Sequence, residues 1–278
     1  MIIDAHQHFW DPARGDYGWL KPDNPIHRVY SPADLRPLLD QTGVNATILV
    51  QAAPTPQETD YMLDIARGTP WILGVVGWID LAASDTATQL SRRARDPLFL
   101  GVRPMLQDLD DPGWILQSSL TPALEAVAAS RLVFDALILS HQIAAITELA
   151  RRHPQLSIVL DHAAKPQLGG GLTGWMSEIE QLAVFPNVIC KVSGLLTELR
   201  PGGSREDVIR AIDVLFDLFG AGRLIWGSDW PVLTLAGDYR DWFELARGAI
   251  ASRDAGAVAG VMGGNALRIY RPARHIPA

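Results

Sequence analysis

Residues 157–162 read SIVLDH, a short apolar run rich in β-branched residues and closed by His162. The same figure recurs along the chain at Ile2–Phe9, Ala46–Gln51, Ile72–Ile79, Leu98–Arg103, Val133–Leu139, Val188–Ser193 and Leu224–Asp229. Near-continuous apolar strands of this length suit a parallel sheet covered on both faces.

Amphipathic segments lie between these runs. Ser31 stands as a cap before Pro32, then Leu35, Leu38 and Leu39 follow at helical spacing, and Gly43 suits the end. Ile143, Ile146, Thr147 and Ala150 repeat the spacing before Pro154, and Ser204 opens a stretch carrying Val208, Ile212, Leu215 and Phe219. Residues 238–254 and 258–270 read as two final helices. Eight strands alternating with helices, with no strong linker, predict an α/β fold: a single-domain (β/α)8 TIM barrel over residues 1–278. A doubly wound open sheet is the rival. Its nucleotide-binding form lacks support, because no glycine-rich phosphate loop follows the first strand. Residues 11–31, rich in proline and aromatics without helical period, read as a loop covering the barrel mouth.

Composition narrows the function. The apolar fraction is 48% and the net charge −7, with no basic run longer than Arg92-Arg93 plus Arg95, so a nucleic-acid partner is not expected. No apolar run approaches the ~18 residues of a membrane span, and the start MIIDAHQHFW lacks the features of a signal peptide. The lone Cys190 forms no internal disulfide. Together these predict a soluble cytoplasmic protein without a membrane partner. Three lysines (Lys21, Lys165, Lys191) stand against twenty-one arginines. Under that bias, a lysine that remains is a candidate for a role needing a compact charge.

In a barrel of this kind, chemistry sits at the C-terminal strand ends. There the sequence places His6 and His8, Gln51, Trp78 with Asp80, Arg103, His162, Lys191 with Ser193, and Asp229. Strand 5 offers only Asp135, with Ser140 and His141 beyond it. Side chains two apart on a strand share a face, so His6 and His8 can offer imidazole nitrogens to one divalent ion. Asp4 is expected below them on that face, fixing a ring tautomer. Strand 8 closes beside strand 1, which brings Asp229 to the histidines. Cys190 has the opposite parity to Lys191 and is expected to face the helices. His27, His153 and His275 lack strand-end context and read as surface.

HxH on the first strand, LDHAAKP at 160–166 and GSDWP at 227–231 resemble the amidohydrolase superfamily. DAHQHFWDPARGDYGWL at 4–20, GVVGWIDL at 74–81, GVRPMLQ at 101–107, DPGWIL at 111–116 and CKVSGL at 190–195 extend the resemblance along the chain. The ordered set is most similar to the lactone-hydrolase branch, with an opening like that of fucono- and rhamnono-lactonases. The resemblance implies hydrolysis of a sugar-acid lactone, with Asp229 as general base and His162 and His8 as further catalytic groups. It implies that His6, His8, His162 and Asp229 hold one divalent metal such as zinc, or that the histidines polarise the carbonyl directly. Arg103, Lys165 and Lys191 are expected against the substrate, and Trp78 and Trp230, with Trp10, are candidates for packing on a sugar ring. Two departures matter: strand 5 carries no histidine, and strand 4 no bridging lysine, which argues against a two-metal centre and leaves the need for one ion open. A metal-dependent decarboxylase, a dicarboxylate lactonase and a binding protein on an inactive barrel are the alternatives. The partner expected is a small lactone; oligomeric state is left open.

Overall fold

Eight parallel strands follow one another in chain order: β1 (Ile3–Gln7), β2 (Ala46–Val50), β3 (Ile72–Gly77), β4 (Phe99–Val102), β5 (Val133–Ala136), β6 (Ser157–Leu160), β7 (Val188–Val192) and β8 (Leu224–Trp226). The structure, a computed structural model, describes residues 1–273. Helices α1 (Pro32–Thr42), α2 (Pro56–Gly68), α3 (Thr86–Arg93), α4 (Thr121–Ala129), α5 (Ile143–Arg152), α6 (Thr173–Ala183), α7 (Arg205–Phe219) and α8 (Tyr239–Arg253) alternate with the strands. The sheet closes past the end of β8, where His8 N–H donates to Trp230 O (2.7 Å) and Asp229 N–H donates to His6 O (2.8 Å). The fold is the expected (β/α)8 barrel.

The helices start where their caps stand. Ser31 precedes Pro32, its N–H and hydroxyl both donate to the Asp34 carboxylate, and Gly43 ends α1 with φ 71°. Leu35 and Leu39 of α1 are fully buried, as one apolar stripe of a barrel helix requires.

Two shells of core result. Ala5, Ile48, Val76, Leu100, Val133, Val159, Ile189 and Ile225 fill the inside of the barrel. Their neighbours along the strands, Phe134, Leu160, Cys190 and Trp226 among them, pack outward under the helices. Cys190 and Lys191 therefore face opposite ways, as parity predicts.

Residues 258–270 are not one helix. The chain is π-helical over Gly260–Gly264, kinks where Gly263 leaves helical geometry, and goes on as a short α-helix, α9, over Asn265–Tyr270. A side chain at Gly263 would collide with the backbone of Met1 and Ile3, so the segment bends against the start of β1. Ala266, Ile269 and Tyr270 of α9 then stop the bottom of the barrel. Residues 11–31 leave β1 and return to it, pinned by paired backbone bonds between Trp10 and Tyr30 (3.2 and 2.9 Å), with Tyr17, Leu20 and Ile26 buried. His27 and His153 are half-buried outside the barrel mouth; His275 lies outside the described residues. No helix among the described residues is long and apolar enough to cross a membrane.

Candidate active site

The register of β1 against β2 shifts between Asp4 and Gln7. This bulge decides which side chains reach the site. Ile3 and Ala5 point into the barrel, and after the shift His6 and His8 do so as well. Asp4 consequently faces the other way. Its carboxylate accepts from His6 N–H (3.1 Å), Ser228 N–H (2.8 Å) and the Tyr239 hydroxyl of α8 (3.0 Å). The expectation that Asp4 orients a histidine ring is thus corrected: it ties β1 to the segment after β8. Gly227 belongs to the same seam, because a Cβ there would sit 2.6 Å from the His6 Cβ.

His8 Nδ1 donates to Val50 O at 2.7 Å, which places the proton on Nδ1 and leaves the Nε2 lone pair free. That Nε2 lies 3.2 Å from His6 Nε2 and 3.3 Å from Asp229 Oδ1. His6 Nε2 is 3.6 Å, and His162 Nε2 3.7 Å, from the same oxygen. Asp229 sits at φ 60°, a turn conformation that few non-glycine residues adopt.

His162 reaches this cluster by backbone geometry rather than strand parity. After Leu160 the chain turns left-handed through His162, Ala163, Ala164 and Lys165, with φ between 51° and 58°. Strand alternation would aim Asp161 inward and His162 away. The left-handed turn brings in both, and sequence reasoning missed Asp161. Its signal was present, since an acid directly following SIVL has the inward parity of Val159. His162 Nδ1 is 2.9 Å from Ser193 Oγ, and Gly194 makes room, for a Cβ there would lie 2.5 Å from that ring nitrogen.

Beneath the histidines lies a buried charged layer. The Lys191 ammonium donates to Asp135 (2.7 Å), lies in an ion pair with Asp161 (2.8 Å) and stands 3.1 Å from His6 Nδ1. Asp161 also accepts from Arg103 (3.2 Å), and Asp135 from the Tyr270 hydroxyl of α9 (2.9 Å). Arg103 is clamped further onto Gln51 O, while Gln51 Nε2 donates to Arg103 O at 2.7 Å. Asp135, within β5 and below the strand end where a histidine is absent, serves as a counter-ion to Lys191.

Burial acts to raise Asp161, but Lys191, His6 and Arg103 outweigh it and hold the carboxyl well below its usual range. Burial lifts Asp135. Burial also opposes ionisation of Asp229, yet His162, His8 and His6 around it hold its carboxyl below the usual range. His162 is pushed down to about 4, mainly by burial, and burial drives His6 well below its ordinary value. With Lys191 and Arg103 matched by Asp135 and Asp161, Asp229 is an ionised carboxylate beside the neutral imidazoles of His6 and His162.

An open cavity of about 630 Å³ leads to this cluster. Asp229, His8, His162 and Arg103 line its deep end, with Lys165 also on the wall and Trp10, Trp19, Met105, Leu137 and Val232 giving apolar surface. Three residues expected against the substrate are not on this wall. Lys191 is fully buried among its carboxylates. Trp230 is buried edge-on to Phe9 and Tyr30, where it supports the covering loop. Trp78 is half-buried, with its backbone bound to Thr59 of α2. Trp19 was not singled out from sequence; only its place inside the covering loop hinted at it.

The donor set fits a single divalent ion. A tetrahedral zinc with bonds of ~2.0–2.2 Å has ligand–ligand edges of roughly 3.3–3.6 Å. The His6, His8 and Asp229 atoms stand 3.2, 3.3 and 3.6 Å apart. His8 is already in the tautomer such an ion requires.

Fold and site define an enzyme whose barrel presents its chemistry at the C-terminal ends of the strands. The amidohydrolase family model matches residues 3–271, and the chain belongs to that family. It is 45% identical to an L-fucono-1,5-lactonase of Burkholderia ambifaria, over 97% of this chain and 95% of that one. It is 34% identical to an L-fucono-1,5-lactonase of Burkholderia multivorans, over 97% and 96%. A crystal structure of an amidohydrolase from Burkholderia multivorans with bound zinc superposes with a TM-score of 0.92 at 34% identity, covering 98% of this chain and 99% of that one.

Proposed function

We propose that this enzyme opens the lactone of a sugar acid by attack of water on the ring carbonyl, with Asp229 as general base. The observation that carries the reading is an ionised, buried carboxylate at the deep end of the cavity, flanked by three histidines. A lactone is an activated ester, and a positioned carboxylate suffices to deprotonate water against it. The two lactonase relatives support the substrate class, and a deoxy-sugar 1,5-lactone is the first to assay.

The water proton passes to Asp229 as oxygen bonds to the carbonyl carbon. The resulting oxyanion lies in the field of Arg103, with His162 beside it, groups fixed before the reaction begins. Collapse breaks the ring C–O bond, and the proton held by Asp229 goes to the departing alkoxide. The products are a free hydroxyl and a carboxylic acid, which gives its remaining proton to solvent and becomes the carboxylate. Lys165 at the wall offers a positive charge to the hydroxyls or to the nascent carboxylate. His6, His8 and Asp229, with His162 close by, would hold a divalent ion, which when bound supplies Lewis-acid polarisation of the carbonyl.

A pH-indicator assay over a panel of aldonolactones, run with and without chelator and paired with metal analysis, tests the reading. Acid release from at least one sugar lactone is expected. Carbon dioxide release from aromatic acids in place of lactone opening would overturn it.

A further inference from the structure

We propose that Trp19, carried on the covering loop, is the platform on which the carbon face of the substrate lies, and that it sets the preference for sugar lactones over plain ones. This rests on the lactonase reading above. Trp19 is 38% exposed yet lines the cavity. An exposed indole is ordinarily free to turn, but this one is held. Its Nε1–H donates to Ala52 O at 2.7 Å, and its ring meets Trp10 edge-on, with centroids 5.3 Å apart. The polar edge of the indole is thus engaged by backbone, and the apolar ring remains for a ligand.

The holding point is itself rigid. Ala52 and Ala53 donate their N–H groups to the two oxygens of Glu58, at 2.8 and 2.9 Å, and Glu58 is completely buried on α2. A buried carboxylate is therefore used to fix a loop of the cavity wall. Such bracing fits a binding surface set in advance, where less ordering entropy is lost on binding.

Position relative to the chemistry completes the inference. From β1 outward the rings run His6, His8, Trp10, Trp19, with successive centroids 4.9, 6.3 and 5.3 Å apart. A lactone whose carbonyl stands at Asp229 and His8 extends its remaining carbons toward Trp19, with the buried Trp10 backing that ring. Sugar rings present C–H groups on one face and hydroxyls at the edge, the complement of an indole face bordered by polar groups. A plain lactone of the same ring size lacks the hydroxyls and the exocyclic carbon that would extend a sugar lactone over Trp19.

The test compares wild type, Trp19→Leu and Trp19→Phe on an aldono-1,5-lactone and on δ-valerolactone. Leucine keeps apolar bulk without a flat ring; phenylalanine keeps the ring without the N–H. Trp19→Leu is expected to raise KM for the aldonolactone about 5- to 10-fold with kcat within about twofold. Trp19→Phe recovers most of that loss, and each variant loses less on δ-valerolactone than on the aldonolactone. Addition of the aldonate product is expected to quench tryptophan emission in wild type and much less in Trp19→Leu. An unchanged KM in Trp19→Leu, or an equal loss on both lactones, overturns the Trp19 assignment while leaving the lactonase reading intact. Absence of turnover by wild type on every sugar lactone overturns both.

Discussion

The Lys191 ammonium stands 3.1 Å from His6 Nδ1, at the base of the cluster that carries the chemistry. A donor at that distance makes Nδ1 an acceptor and puts the ring proton on Nε2, facing His8 and Asp229. An ion on Nε2 requires the opposite tautomer, with Nδ1–H given to Asp161 Oδ1 at 3.4 Å. His6 is the residue at which metal-bound and metal-free forms of the site differ, and the charged layer below serves both.

Asp229→Asn removes the proposed base and leaves a neutral amide of the same shape. Turnover of a lactone that wild type opens is expected to fall at least ~10²-fold, with far-ultraviolet circular dichroism unchanged. Near-normal rates in this variant would contradict Asp229 as base.

Lys191→Met leaves Asp135 and Asp161 facing each other without their shared cation. Breaking a buried pair in this way costs about 3–5 kcal/mol, which urea denaturation measures. Adding Asp135→Asn removes one stranded carboxylate and should recover part of the loss. A single-variant cost below about 1 kcal/mol would show the layer to be energetically idle.

The pH profile follows from the shifted groups. Asp229 is held below the usual carboxylate range and His162 lies near about 4, so both are in their working forms, deprotonated, from neutrality down to pH 5. The part of kcat/KM that depends on Asp229 and His162 is expected to be flat from pH 8 to 5 in the metal-free enzyme. It then falls as His162 and, at still lower pH, Asp229 take up protons. An acid limb centred near the ordinary histidine value, about 6.5, would place the titrating ring in a far wetter setting.

Zinc titration by calorimetry should give one ion per chain. His8→Ala, which deletes a ligand whose tautomer Val50 O already fixes, should weaken that binding at least ~10-fold, whereas His27→Ala should not. Equal affinity in both variants would exclude the cluster of His6, His8 and Asp229.

Gly194→Ala brings a Cβ to 2.5 Å from His162 Nδ1 at a position with φ 64°. Both the clash and the left-handed backbone act against alanine, with a cost above ~1 kcal/mol expected in thermal unfolding. A larger effect on kcat is expected, through the displaced His162 ring.

The barrel was legible because apolar runs of strand length alternate with capped amphipathic segments, and burial of both strand faces leaves few other arrangements. His6, His8, His162, Arg103 and Asp229 were legible for a related reason: polar residues ending such runs stand at one rim. Lys191 and Asp4 show where this reasoning stops. The chain shows Lys191 at an inward position but not how deep that position lies. It shows Asp4 two residues before His6 but not the bulge that turns it outward.

The sequence by itself determined the strand and helix pattern, the rim on which chemistry gathers and the residue types available there, since these follow from local periodicity and chain order. Tertiary structure alone decided which side chains meet. A register shift in β1 put His6 and His8 inward, a left-handed turn after β6 re-aimed His162, and closure against β8 brought Asp229 to all three. Those events depend on contacts between segments up to 223 residues apart, as Asp229 and His6 are, and no local pattern encodes such distances.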